Sequence, residues 1–219
     1  MFGDASGAFR PSASITRAEV AAILVRTELR NFPTSTTILP PGMTSFTAFS
    51  DVHYGAWYFF YVAWAFDANL VLGHDGQFRP GDYISRQELA AMVARLGTVR
   101  ESGVAGFPDA REACDWAIRY VYTVYRNRLM QGDQHGFFQP QRDITRAETA
   151  TVINRNLGRI DSHAAWEGVD LEGIPNVRFF PDVNPIPWYW PAVIGATNNH
   201  YLDRCDEGVI NWKRIPTQR

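Results

Sequence analysis

The chain repeats itself, and that repetition limits its possible folds more than any other feature. Ile15-Thr16-Arg17-Ala18-Glu19, Ile84-Ser85-Arg86-Gln87-Glu88 and Ile144-Thr145-Arg146-Ala147-Glu148 are three copies of one box, I-[TS]-R-x-E. Each follows a loop of the form G-x(2–3)-G-x-F-x-P, running from Gly3 to Pro11, Gly73 to Pro80 and Gly132 to Pro140. A second motif, F-x-D-x(5–6)-W, occurs at Phe49-Ser50-Asp51 with Trp57, Phe107-Pro108-Asp109 with Trp116, and Phe180-Pro181-Asp182 with Trp188. The chain therefore opens on the second half of a unit, carries two complete units, and closes on the first half. A repeat that cannot bury its apolar face alone needs neighbours on both sides. Docking the last half beside the first would close three equivalent units into a ring and bring the two chain ends together.

Apolar spacing supplies the elements. After the middle box, Leu89, Met92, Val93 and Leu96 fall at i, i+3, i+4 and i+7, the pattern of an amphipathic helix. Val20, Ile23 and Leu24 repeat it after the first box, and Val152 and Ile153 after the third. A second helix is expected after each tryptophan, through Phe59, Val62, Ala63 and Phe66, through Ile118, Val121, Tyr122 and Tyr125, and through Trp190, Val193, Ile194 and Thr197. Pro191 fits only the first turn of the last of these. The expectation is a mostly all-α fold of three helix-loop-helix units, forming one module over 1–219: second half of the split unit at 1–30, complete units at 49–97 and 107–158, first half of the split unit at 180–204, and a tail at 205–219. The stretch Asp203–Trp212 reads either as a short strand pair or as cover for the core edge.

Composition narrows the function. A formal net charge of −2 and a pI near 6.2 lack the basic stripe of a nucleic-acid binder. No apolar run is long enough for a membrane span, and the first residues do not form an export signal. Cys114 and Cys205 read as free thiols, since two cysteines make neither a disulfide framework nor a metal pair. The histidines at 53, 74, 135, 163 and 200 have no metal-ligand spacing, and no nucleophile, metalloprotease or phosphate-loop motif is present. The expectation is a non-enzymatic module without metal or other cofactor.

Thr16, Ser85 and Thr145 read as helix N-caps, with Glu19, Glu88 and Glu148 bonding back to them. The arginine between them is harder to explain. A cation in the first turn faces the positive end of the helix dipole, unfavourable by up to about 1 kcal/mol where exposed. Arg17, Arg86 and Arg146 nevertheless occupy that position in every unit. Two readings compensate them: pairing with Asp51, Asp109 or Asp182 of another unit, or binding an external anion at the helix terminus. Trp57, Trp116 and Trp188 read either as core aromatics or as flat faces for a sugar ring. Gly3, Gly73 and Gly132 read either as positive-φ turn residues or as places where a ligand can approach the backbone, Gly73 and Gly132 being counted among the ligand-binding residues.

These linked motifs resemble the S-layer homology (SLH) domain over most of residues 3–202. The resemblance implies a triple-repeat helical spindle that anchors a bacterial surface protein to the cell wall. It would do so without a covalent bond, holding an acidic, often pyruvylated, secondary cell-wall polysaccharide in grooves between units. By that resemblance the ligand-binding residues are Arg17, Arg146 and Arg86 together with Asp51, Asp109, Asp182, Trp57, Trp116 and Trp188. It further implies a location at the bacterial cell surface, an export signal elsewhere in the protein, and a monomeric module within a larger chain. Departures stand at Gln87, where the other boxes have alanine, at the longer approach to Trp116, and at Pro185, Pro187 and Pro191. A structural or protein-interaction module without glycan binding is the competing reading.

Overall fold

The computed structural model describes residues 1, 3–28, 39–96, 106–159, 177–183, 188–198, 200–204 and 210–214. The joining segments, Pro185, Pro187 and Cys205 lie outside them. The described residues are mostly helical: α1 Arg17–Glu28, α2 Phe59–Asp67, α3 Arg86–Leu96, α4 Asp115–Arg126, α5 Arg146–Asn156 and α6 Trp190–Thr197. One 3-10 turn, Ala110–Glu112, takes up the extra residue before Trp116. A strand pair does form, beginning three residues earlier than Asp203: β1 His200–Arg204 pairs antiparallel with β2 Ile210–Arg214, His200 opposite Arg214 and Arg204 opposite Ile210.

The chain divides into two compact units, one of Ser14–Ile144 and one that joins Met1–Ala13 to Thr145–Arg219. In the first, α1 packs on α2 and α3 on α4. Its three isoleucines, one from each box, are linked head to tail through the backbone. Ile84 N–H donates to Ile15 C=O at 3.1 Å, Ile144 N–H to Ile84 C=O at 3.0 Å, and Ile15 N–H to Ile144 C=O at 3.3 Å. All three side chains are fully buried. The ring therefore satisfies main-chain groups that burial would otherwise strand.

In the second unit α5 packs on α6. Here the opening half-repeat docks on the closing one. Phe9 joins Phe180, Val183, Ala150, Ala192 and Val193 in one core, and the Met1 ammonium donates to Ala196 C=O at 2.9 Å. Pro191 sits in the first turn of α6, where no N–H is needed. Asn154 is buried in the helix pair and donates to Ala192 C=O at 2.8 Å.

The helices begin as their residues dictate. Thr145 and Glu148 form a complete capping box, and Thr16 and Glu19 exchange the same pair of bonds. In the middle copy Ser85 N–H donates to Glu88 at 2.9 Å. Helix α4 departs modestly from the expected face: Ala117, Val121 and Val124 are buried, while Tyr125 is exposed.

Candidate functional site

One construction recurs three times and uses nearly every motif residue. The aspartate of F-x-D grips the loop of its own unit through two backbone amides. Asp51 accepts from Phe78 N–H at 2.8 Å and Arg79 N–H at 2.6 Å. Asp109 does the same for Phe138 and Gln139 at 2.7 and 2.6 Å, and Asp182 for Phe9 and Arg10 at 2.8 and 2.6 Å. The second residue of each pair precedes a proline and is left-handed, with φ of 58°, 55° and 56° for Arg79, Gln139 and Arg10. That region is unfavourable for a side-chain-bearing residue, so the carboxylate holds the turn against its own strain.

The same loop is then clasped by the box arginine of the preceding unit. Arg17 Nε donates to Phe78 C=O at 2.7 Å, Arg86 Nε to Phe138 C=O at 2.6 Å, and Arg146 Nε to Phe9 C=O at 2.8 Å. Each guanidinium also lies over the ring of that phenylalanine, 5.1, 4.8 and 4.9 Å from the centroid. The rings of Phe78 and Phe138 stack in turn on Phe49 and Phe107. Arg17 additionally pairs with Glu88, and burial pulls its pKa below the usual value against the raising effect of that partner.

A carbonyl and a ring face thus offset the dipole in all three copies. The expected pairing of Arg17, Arg86 and Arg146 with Asp51, Asp109 and Asp182 is not what these contacts show. Arg17 and Arg86 are 6% and 5% exposed, a level that fits a clasp.

The tryptophans differ from the core reading: Trp57, Trp116 and Trp188 are 58%, 48% and 59% exposed, each at the start of a helix. Of the glycines, Gly73 alone among the three is left-handed, at φ 65°. Gly3 and Gly132 are set by space instead. A side chain on Gly3 would meet the Phe180 ring at 2.8 Å, and one on Gly132 the Gly136 carbonyl at 2.6 Å.

A groove of about 760 Å³ runs beside α3 and α4. Gly73 and Trp116 line it, and Asp109 lines a smaller hollow of about 370 Å³. The box arginines are absent from its lining, which instead brings in Arg79, Arg95, Arg119, Tyr120 and Gln87. Gln87, the departure in the middle box, seats the start of α4 by accepting from Cys114 N–H at 2.9 Å. Arg95 Nε and Arg119 Nη2 both donate to the Tyr120 hydroxyl, at 3.4 and 2.7 Å. Burial pushes the Tyr120 phenol up, but these bonds and the two positive charges outweigh it and hold its pKa below the usual range.

Sequence reasoning missed these residues, yet a signal existed. Arg26, Arg95 and Arg155 stand at one offset after the box arginines, and Tyr61 and Tyr120 at one offset after Trp57 and Trp116. Among the described residues no group of His, Cys, Asp and Glu could hold a metal ion, and no helix is long and apolar enough to cross a membrane.

Comparison with known proteins settles the kinship of this architecture. The family model for the S-layer homology domain matches residues 1–21, 48–90 and 106–150, which hold the loops and boxes just described. The chain belongs to the S-layer homology domain family. The SLH chain is 31% identical over 162 residues to the cellulosome-anchoring protein of Acetivibrio thermocellus, covering 72% of this chain and 35% of that one. It is 28% identical over 212 residues to cell surface glycoprotein 1 of the same organism, covering 91% and 8%. It is also 30% identical over 151 residues to an amylopullulanase of Thermoanaerobacterium thermosulfurigenes, covering 66% and 8%. The SLH chain thus spans from under a tenth to about a third of these relatives, and the likeness to the amylopullulanase touches only a small part of that enzyme. Two of these relatives are named for a place at the cell surface or for anchoring, the cell surface glycoprotein and the cellulosome-anchoring protein.

Proposed function

We propose that this SLH module anchors a larger surface protein to the bacterial cell wall by holding an acidic wall polysaccharide, pyruvylated sugars included, without a covalent bond. The observation that carries this reading is the groove beside α3 and α4, where half-exposed Trp116 stands with Gly73, Arg79, Arg95 and Arg119. An apolar ring face packs a sugar while guanidinium groups take hydroxyls and acidic substituents. Trp57 and Trp188 offer the same face at the equivalent helix starts. Arg17, Arg86 and Arg146, with Asp51, Asp109 and Asp182, set the loops from which a groove such as this one is built. Gly73 and Gly132 keep those loops tight. A module that only joins proteins is the competing reading, and it needs no groove in which an exposed tryptophan stands beside arginines.

Co-sedimentation with cell walls, intact or stripped of their polysaccharide, tests the proposal. The chain is expected to pellet with intact walls and to stay in solution with stripped ones. Trp116→Ala is expected to weaken retention about tenfold, the scale of losing one stacked aromatic contact. Equal pelleting with both wall preparations would reject glycan anchoring.

A further inference from the structure

The joint between the opening and closing half-repeats is tied together differently from the two complete units. The aspartate grip on the loop spans 27 residues of chain in the first complete unit and 29 in the second, but 173 in the split one. Closing a loop costs more entropy as the loop lengthens, so the split unit gains least from having both halves on one chain. What holds the opening segment is also blind to its origin. Asp182 accepts from the Phe9 and Arg10 amides, Arg146 Nε donates to Phe9 C=O, and Ala147 N–H donates to Pro11 C=O at 3.0 Å. All of these bonds engage main chain. The side chains that enter are Phe9 and Pro11, both buried, with the Phe9 ring 5.3 Å from that of Phe180. Main-chain bonds with a few anchoring side chains are a general way of receiving a segment from another molecule.

The helix pair that receives the segment carries an unanswered polar atom. Asn154 of α5 is fully buried, and its Oδ1 meets no donor although its Nδ2 bonds to Ala192 C=O. The corresponding positions of α1 and α3 hold Val25 and Ala94, and Ala192 itself stands where α2 and α4 have Tyr61 and Tyr120. A buried acceptor without a donor weakens the contact that encloses it. Low local stability marks the part of a fold that opens first. The segment reaches the rest of the chain through Ser12 and Ala13, both exposed, and the division into two compact units falls directly after them.

We infer that the split unit is an exchange joint between copies of this chain: the closing half of one copy takes residues 1–11 of a second, and the second takes those of the first. The partner is fixed by the seat itself, which fits the Phe9 ring, Pro11 and the amides between Asp182 and Arg146. Reciprocal exchange remakes every bond of the monomer across a two-fold axis, the low-cost route by which a folded chain becomes a dimer. Because bonds lost equal bonds gained, the balance is set by chain concentration. Exchange is slow, since each segment must leave its own seat before a second copy fills it.

The test holds the full, unmodified chain a few degrees below its melting temperature at low and high concentration, cools it, and measures its mass by sedimentation velocity. A dimer whose share rises with concentration is expected, and in the cold it should decay only slowly on dilution. A synthetic peptide of residues 1–11, present in excess during the incubation, fills the same seat and should suppress the dimer severalfold. The same peptide with Phe9→Ala should be about a hundredfold less effective, the scale of losing a buried phenylalanine ring. A chain that stays monomeric at every concentration would overturn the joint. So would a dimer that the native peptide leaves unchanged, which would be an ordinary surface contact, or one that both peptides suppress equally.

Discussion

Each box arginine meets an electrostatic problem that its own position creates. In the first turn of a helix its charge is repelled by the macrodipole, and it is held there by the carbonyl and ring of a phenylalanine in the next unit. The aspartates do the complementary work on the amide side of the same peptide. Asp109 is buried, and it accepts the buried N–H of Phe138 and the part-buried N–H of Gln139. Asp109→Ala should therefore destabilise the chain by about 2–4 kcal/mol, because one buried and one part-buried donor lose a charged acceptor; Arg119→Gln should change stability by less than about 0.5 kcal/mol. Equilibrium denaturation with urea compares them directly. The motif and the dipole conflict of the arginine were both legible in the sequence. Its partner was not, since a carbonyl is present at every position and leaves no trace in residue identity.

At the scale of elements, the helices were legible because 3.6-residue spacing and capping residues are written in side chains. The 3-10 turn at Ala110–Glu112 appeared only as a one-residue surplus before Trp116. The glycine-rich loops followed a logic that positive φ alone misses. Asp4 folds its loop by accepting from Ser6 Oγ, Ser6 N–H and Ala8 N–H, and Asp133 accepts from His135 and Phe137 N–H in the third copy. The hydrogen bond from Ser6, with the amides and Arg10, brings the Asp4 carboxyl to about 2 despite the opposing desolvation. A pKa lowered by folding makes a contribution that is present above the unfolded value and lost as pH falls through the folded one. The Ser6 and Ala8 amides should accordingly stay protected from hydrogen exchange at pH 4 and lose protection as pH falls toward 2, by NMR. Loss already at pH 4 would contradict the lowered carboxyl.

For the molecule as a whole, the half-repeats at the two extremes of the sequence were legible as complementary parts, and in the second unit Phe9 completes the core of Phe180, Val183 and Val193. Removing residues 1–11 should uncover that apolar patch, raise binding of a hydrophobic dye several-fold and lower the melting temperature by several degrees. An unchanged dye signal would show that Phe9 is dispensable there. The first unit closes differently, through the peptide groups of Ile15, Ile84 and Ile144. Because that hoop is made of main chain, no link in it belongs to a particular side chain. Neighbouring positions can mutate copy by copy without opening it, so one helix pair is free to acquire a second guanidinium while another exchanges tyrosine for alanine. The choice of side chains on the helices is thereby uncoupled from the integrity of the hoop.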